Sequence, residues 1–285
     1  MASSPAWPPG TAPAAGEPGP EPAVVARLRA AGCVFAEDEA RLLMAAAATP
    51  AELDELIARR EAGLPLEYIL GWAQFCGLRI AVAPGVFVPR PRTEFLVCQA
   101  AALPVGARPV IVDLCCGSGA IAAALAAALS RSGAGPAEVH AADIDPAAVA
   151  CARRNLAAAG GGQAWCGDLF EPLPGRLRGR VDILTANVPY VPSGEVRLLP
   201  AESREHEPRS TVDGGPDGLD LLRRVSAAAP GWLAPGGYLL SEVSDRQAAT
   251  AAGIVSSNGL APAISCSAEL AATVVTGRFA QPESG

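Results

Sequence analysis

The residues best suited to chemistry are Thr185-Ala186-Asn187-Val188-Pro189-Tyr190. The Asn187 side chain offers an acceptor oxygen and two donor hydrogens. Val188 precedes a proline and is pushed into an extended conformation, which aims its carbonyl outward. Tyr190 can stack against a flat group. Together these residues make a slot for a planar NH2, with two acceptors for its two hydrogens. A buried Asn at a strand end can be purely structural, but the Pro-aromatic pair that follows favours the slot.

Three more segments carry groups that could hold a ligand. Val112-Asp113-Leu114-Cys115-Cys116-Gly117-Ser118-Gly119-Ala120-Ile121 reads as a strand, a tight turn and the start of an Ala-rich helix. Gly117 and Gly119 let the backbone bend and approach a ligand with no Cβ in the way. In Ala141-Ala142-Asp143-Ile144-Asp145-Pro146, Asp145 and Pro146 are explained as a helix cap and first helical residue. Asp143 has no such job, and a carboxylate at a strand end can accept both hydrogen bonds of a ribose diol. In Gly167-Asp168-Leu169-Phe170, Asp168 could accept from an exocyclic amine and Leu169 could pack on a ring. The phosphate-cradling G-x-G-x-x-G and the G-K-[ST] of a P-loop are both absent, which disfavours a dinucleotide or ATP.

These segments must be positioned by a regular scaffold. Strands are expected at 109–114, 138–144, 163–167, 181–186 and 237–243, with an antiparallel pair at 261–267 and 273–279. Gly161-Gly162-Gln163 reads as a loop and the start of a strand. Alternation of these strands with helix-length segments predicts an α/β fold: a doubly wound, mostly parallel sheet covered on both faces. Ligands of such sheets bind at the carboxyl edge. Upstream, helices are expected around 24–31 and 37–48. A third follows Thr49-Pro50-Ala51-Glu52, which has the form of a capping box; Leu53, Leu56 and Ile57 share its apolar face and Gly63 stops it. Alternation around Ala83-Pro84-Gly85-Val86 predicts a β-hairpin over 78–88. The expected division is a tail over 1–22, a helical domain over 23–75, a hairpin linker over 76–90 and the α/β domain over 91–285.

Composition removes several function classes. With 285 residues, half of them hydrophobic, the chain has enough apolar mass for a large core or two unequal ones. The net charge of -7 argues against a broad nucleic-acid-binding face. The eight cysteines form no C-x-x-C pair and there are two histidines, so neither a zinc site nor a disulfide framework is expected. Buried thiols in a reducing cytoplasm are the simplest reading. There is no apolar run of about 18 residues to span a membrane and no basic, apolar leader at the N-terminus.

Taken together, the motifs resemble class I S-adenosylmethionine-dependent methyltransferases, and more closely the protein-(glutamine-N5) methyltransferases that act on peptide-chain release factors. The resemblance runs from about residue 25 to about 280. Phe87-Val88-Pro89-Arg90-Pro91-Arg92-Thr93-Glu94 resembles the family's I-P-R-P-E-T-E, and Asp113 to Ile121 resembles its D-L-G-T-G-S-G-A-I. Pro65 to Gly71, Glu207-Pro208 and Gly214 to Asp220 also fit. The family's N-P-P-Y reads Asn187-Val188-Pro189-Tyr190 here, and the first glycine of its cofactor loop is Cys115.

The resemblance implies a seven-stranded Rossmann-like sheet and S-adenosyl-L-methionine as cofactor. It implies cofactor-binding roles for Asp113, Cys115, Gly117, Gly119, Asp143, Ile144, Asp168, Leu169 and Asn187. Substrate-binding roles fall to Pro89, Arg90, Pro91, Thr93, Glu94, Asn187, Pro189 and Tyr190, with Asn187, Val188, Pro189 and Tyr190 at the reacting centre. It further implies that a release factor is the protein substrate, methylated on the glutamine of its Gly-Gly-Gln loop, and that the helical N-terminal domain helps hold it. Glu94 and Glu242 are the nearest polar groups for positioning. Three alternatives stay open on the residues alone: adenine in nucleic acid, a small-molecule amide or amine, and a binding protein that keeps the fold without turnover.

Overall fold

In the computed structural model, residues 21–131 and 135–280 are described. Of the tail expected over 1–22, all but the last two residues lie outside the described residues. Glu21 and Pro22 already belong to the first helix, as its N-cap and first residue. The chain divides into two compact units, one ending at Leu70 and one beginning at Gly71.

The first unit is helical: α1 (Pro22–Ala30), α2 (Ala36–Ala46), α3 (Pro50–Glu61) and the short α4 (Leu66–Leu70). Val24 and Leu28, then Ala36, Ala40 and Leu43, recur at helical spacing and meet Ile57 and Ile69 in one apolar core. The Thr49 hydroxyl accepts the Glu52 N–H (3.2 Å), while the Glu52 carboxylate reaches Ala48 N–H, one residue before the cap. Arg60 and Glu39, both largely buried, pair at 2.6 Å and tie α3 to α2.

The second unit begins with a hairpin, but not the expected one. Strands β1 (Trp72–Phe75) and β2 (Leu78–Ala81) pair Phe75 with Leu78 around the two-residue loop Cys76-Gly77. Both loop residues have positive φ (50° and 75°), as right-handed strand twist demands of a tight hairpin turn. The Ala83-Pro84-Gly85-Val86 turn is real, with Val86 N–H on the Ala83 carbonyl, but it joins no paired strands. Beyond it the chain runs without strand pairing to α5 (Glu94–Ala101).

Then follow β3 (Val110–Leu114), α6 (Ala120–Arg131), β4 (Glu138–Asp143), α7 (Pro146–Ala158), β5 (Gln163–Cys166), β6 (Val181–Ala186), α8 (Ala201–His206), α9 (Asp220–Ala228), β7 (Leu233–Val243), α10 (Ala248–Ser257), β8 (Leu260–Ser267) and β9 (Ala272–Phe279). The sheet order is β5-β4-β3-β6-β7-β9-β8. Its first five strands run parallel, and β9 inserts antiparallel between β7 and β8. This is the doubly wound, mostly parallel, seven-stranded sheet expected from the alternation. Strand β7 starts four residues earlier than expected, where its pairing with β6 shifts register. Every residue of β3 is buried, as a strand covered on both faces requires. Strand order reverses between β3 and β6, so a crevice opens at their carboxyl ends.

Candidate active site

That crevice is a cavity of about 760 Å³, within the range of roughly 300–1,000 Å³ usual for small-molecule sites. The turns after β3, β4, β5 and β6 all contribute to it. Of the residues singled out in the sequence, Cys115, Gly117, Asp143, Ile144, Asp168, Leu169, Pro89, Arg90, Pro91, Thr93 and Asn187 through Tyr190 line its wall. Asp113, Gly119 and Glu94 do not.

At the β3–β4 end the chain satisfies its own polar groups. Asp143 Oδ2 accepts Gly117 N–H (2.8 Å) and Oδ1 accepts Asp145 N–H (2.9 Å). Asp143 therefore has the structural job denied to it by sequence reading, since it pins the glycine turn. Each oxygen still keeps lone-pair capacity towards the cavity, and burial raises its carboxyl above the ordinary range. Beside it Ile144 is 65% exposed, an apolar side chain left uncovered at the rim. Asp145 Oδ1 caps α7 by accepting Ala147 N–H (2.8 Å), as the Asp-Pro pair predicts. Asp168 is engaged by Arg224 of α9 at 2.5 Å, and Leu169 is held in the left-handed region (φ 48°).

The three residues absent from the wall act from behind. Asp113 is fully buried, accepts the Thr185 hydroxyl (2.8 Å) and Ala122 N–H (3.3 Å), and is pushed by burial up to about 7. Gly119 is required by helix packing: a Cβ there would stand 2.9 Å from Ala152 of α7. Glu94 accepts Cys76 N–H (2.7 Å) and so secures the hairpin turn.

At the β6 end the balance is different. Asn187 Oδ1 is buried without a hydrogen-bond partner, and Val188 is 2% exposed. Tyr190 donates its O–H to Glu242 Oε1 (2.8 Å), and Arg92 Nε reaches the same oxygen (3.1 Å). Burial and the nearby Glu242 charge push the Tyr190 phenol well up, so it stays a donor. The backbone of Pro189 and Tyr190 is clasped by Gly214 and Gly218, where any Cβ would collide with their carbonyls. Gln247 Nε2 donates to the Tyr190 carbonyl (2.8 Å).

The third wall is the segment from Phe87 to Thr93. Arg90 pairs with buried Glu207 at 2.5 Å and also reaches Ser203 Oγ (3.2 Å), and its guanidinium lies over the Phe87 ring. The sequence marks Phe87 only as the head of its motif, and it marks Arg224 and Asn155 not at all. Asn155 donates to the carbonyls of Ala81 (2.9 Å) and Ser118 (2.7 Å), joining hairpin, α7 and glycine turn. No local pattern marks an Asn inside a helix for that role. The Cys115 thiol is pushed up to about 12 by burial, and burial also pushes the Cys116 thiol well above its ordinary value, so neither is a nucleophile at neutral pH.

Residues 111–204 match a family model described as a methyltransferase domain. A release factor glutamine methyltransferase from Geobacter sulfurreducens is 42% identical over 205 residues, covering 72% of this chain and 69% of the relative. Its counterpart from Streptomyces coelicolor is 42% identical over 197 residues, 68% and 67% of the two chains. The chain belongs to the release factor glutamine methyltransferase family. A third member, from Mycobacterium tuberculosis, is 38% identical over 208 residues, 72% and 67% of the two chains. The same fold occurs in a methyltransferase from Pyrococcus furiosus (TM-score 0.52, 15% identical, 72% of this chain and 90% of that one). It occurs again in a 16S rRNA N2 methyltransferase from T. thermophilus in complex with AdoMet and guanosine (TM-score 0.50, 22% identical, 73% and 49%). In this family member the matched domain model spans the turns after β3, β4, β5 and β6.

Proposed function

We propose that this chain transfers the methyl group of S-adenosyl-L-methionine to the side-chain amide nitrogen of a glutamine in a peptide-chain release factor, in its Gly-Gly-Gln loop. The observation that carries the reading is Asn187 Oδ1, a buried acceptor without a partner on the wall of the cavity that Gly117 and Asp143 also line. An unmet acceptor there fits a ligand that brings N–H groups.

The cofactor, when bound, supplies a methyl group on a positively charged sulfur. The chain supplies place and direction. Asp143 offers its spare lone pairs to a ribose diol, and Ile144 and Leu169 offer apolar cover to a base. Asp168, steadied by Arg224, has an oxygen left for an exocyclic amine. At the other end Asn187 Oδ1 and the Val188 carbonyl accept the two hydrogens of the substrate amide. An amide nitrogen is a poor nucleophile because its lone pair is delocalised. Gripping both hydrogens fixes the group and favours a geometry with the lone pair aimed at the methyl carbon. In a site closed to water those hydrogen bonds are worth more than in solution. The free thiols among the described residues suit a cytoplasmic protein, and among those residues no helix is long and apolar enough to cross a membrane.

Mass spectrometry of a release factor incubated with the enzyme and cofactor tests the proposal. The expected result is the mass gain of one methyl-for-hydrogen exchange on the loop glutamine. Absence of that gain, with cofactor binding intact, would sink the release factor as acceptor.

A further inference from the structure

Among the described residues three buried side-chain atoms lack a hydrogen-bond partner: Asn187 Oδ1, Glu242 Oε2 and Ser226 Oγ. The first two residues line the same cavity. Strands β6 and β7 pair Thr185 with Leu240, so Asn187 and Glu242 each stand two residues farther along neighbouring parallel strands. Between them Ser241 Oγ donates to the Ala186 carbonyl (2.7 Å) and locks the two strand ends together. Glu242 is 2% exposed. Its Oε1 is held by Tyr190 O–H and Arg92 Nε, which fixes the carboxylate while leaving Oε2 bare. A bare buried carboxylate oxygen is unfavourable in the free protein, and a ligand that brings a donor relieves it.

We propose that Glu242 Oε2 shares with Asn187 Oδ1 one of the two amide hydrogens, as the only charged acceptor at the reacting nitrogen, which makes Glu242 a catalytic residue; this rests on the amide-methylation reading above. The nitrogen begins neutral and becomes positive as the N–C bond forms. Asn187 Oδ1 and the Val188 carbonyl attract that charge as dipoles, whereas a carboxylate attracts it with a full charge in a water-poor site. The nitrogen lone pair forms the N–CH3 bond, and the S–CH3 bond breaks with its electron pair left on sulfur. One N–H proton then passes to Glu242 Oε2 and on to solvent, leaving a neutral N-methyl amide.

The test uses Glu242→Gln, which keeps the shape and an oxygen for Tyr190 but loses the charge. Two release-factor peptides serve as probes, one with the loop glutamine and one with ornithine in its place, whose ammonium mimics the charged nitrogen at the same chain length. Binding is read by fluorescence anisotropy without cofactor. Wild type should favour the ornithine peptide, and Glu242→Gln should lose that preference by about tenfold or more. With cofactor, kcat on the glutamine peptide should fall by about 10²-fold or more, with KM little changed. Arg92→Met, which strips a cation from Glu242, should strengthen the ornithine preference. An unchanged preference and a near-wild-type kcat in Glu242→Gln would overturn the proposal. If Glu242→Gln fails to fold in a thermal melt, Arg92→Met decides, and no gain in preference overturns it. If wild type methylates no release-factor peptide, the acceptor reading has failed by itself. Butylammonium against butyramide then replaces the peptides: loss of the ammonium preference in Glu242→Gln sustains the role of Glu242, and its persistence refutes it.

Discussion

The two ends of the cavity are built on opposite principles. At the β3–β4 end each carboxylate is met by the chain itself: Asp143 by Gly117 and Asp145, Asp168 by Arg224, and Asp113 by Thr185. At the β6–β7 end two buried oxygens, on Asn187 and Glu242, are met by nothing. Folding therefore completes the first end and leaves the second in deficit. A satisfied end holds its shape before a ligand arrives. An unsatisfied end keeps its hydrogen-bonding capacity for the group on which the chemistry happens.

Asn187→Ala breaks this contrast most directly. Turnover should fall by about 10²–10³-fold, the loss typical of removing one oriented group at a reacting centre. Cofactor affinity by calorimetry should barely move. Thermal stability should hold or rise, because the deleted oxygen has no partner in the free protein. A clear loss of stability would mean that the β6 end is not in deficit.

The satisfied end has its own strain, and Asp113 exposes it. Its carboxyl is raised by burial from 3.8 to about 7. The folded state therefore holds the proton more tightly than the unfolded chain does, and stability falls as pH rises between those two values. That difference corresponds to about 4 kcal/mol, fully felt above pH 7 and absent below about 4. Denaturant unfolding at several pH values should show that slope, and Asp113→Asn should flatten it. An equal slope in the variant would place the titration elsewhere.

Asp143→Ala sharpens the contrast from the other side. It strands the N–H groups of Gly117 and Asp145, so about 1–3 kcal/mol of stability should be lost along with cofactor affinity. Asn187→Ala should weaken only turnover, while Asp143→Ala should weaken the fold as well. A variant at 143 as stable as wild type would show that the β3–β4 end is not secured by this carboxylate.

How far the sequence could be read followed how local each signal was. Strand β6 is legible to its ends, Val181 and Ala186, because the β-branched and apolar residues between Arg180 and Asn187, interrupted by Asp182 alone among charged groups, have one simple interpretation. Thr49 and Asp145 announced their helices for the same reason, since a cap acts within three residues. The hairpin was misplaced because Cys76-Gly77 lacks the Asn or Asp that marks tight turns, while Pro84-Gly85 advertises a turn that pairs nothing. The structural work of Glu94 and Asn155 spans distances no local pattern records, reaching Cys76, Ala81 and Ser118. The sequence marks Glu242 only as a nearby polar group, because its bare oxygen depends on strand register and on Tyr190 and Arg92 meeting its other oxygen.

The smallest effect concerns Cys115, the one position where the satisfied end departs from the family's glycine. Cys115 sits at φ 52°, in the left-handed region. For an L residue that conformation costs about 1–2 kcal/mol. Glycine would remove the strain but lose about 0.5–1 kcal/mol through the greater freedom of its unfolded chain. Cys115→Gly loses the sulfur as Cys115→Ala does but also relieves the strain, so it should be the more stable of the two variants by about 0.5–1 kcal/mol, a few degrees at most in the melting temperature. Cys115→Ala separates backbone from side chain. It keeps the strained φ and loses the sulfur that packs on the main core, so it should destabilise. If Cys115→Gly is no more stable than Cys115→Ala, side-chain packing rather than backbone strain governs this turn, and the β3–β4 end would be less tightly determined by its backbone than Asp143 and Gly117 indicate.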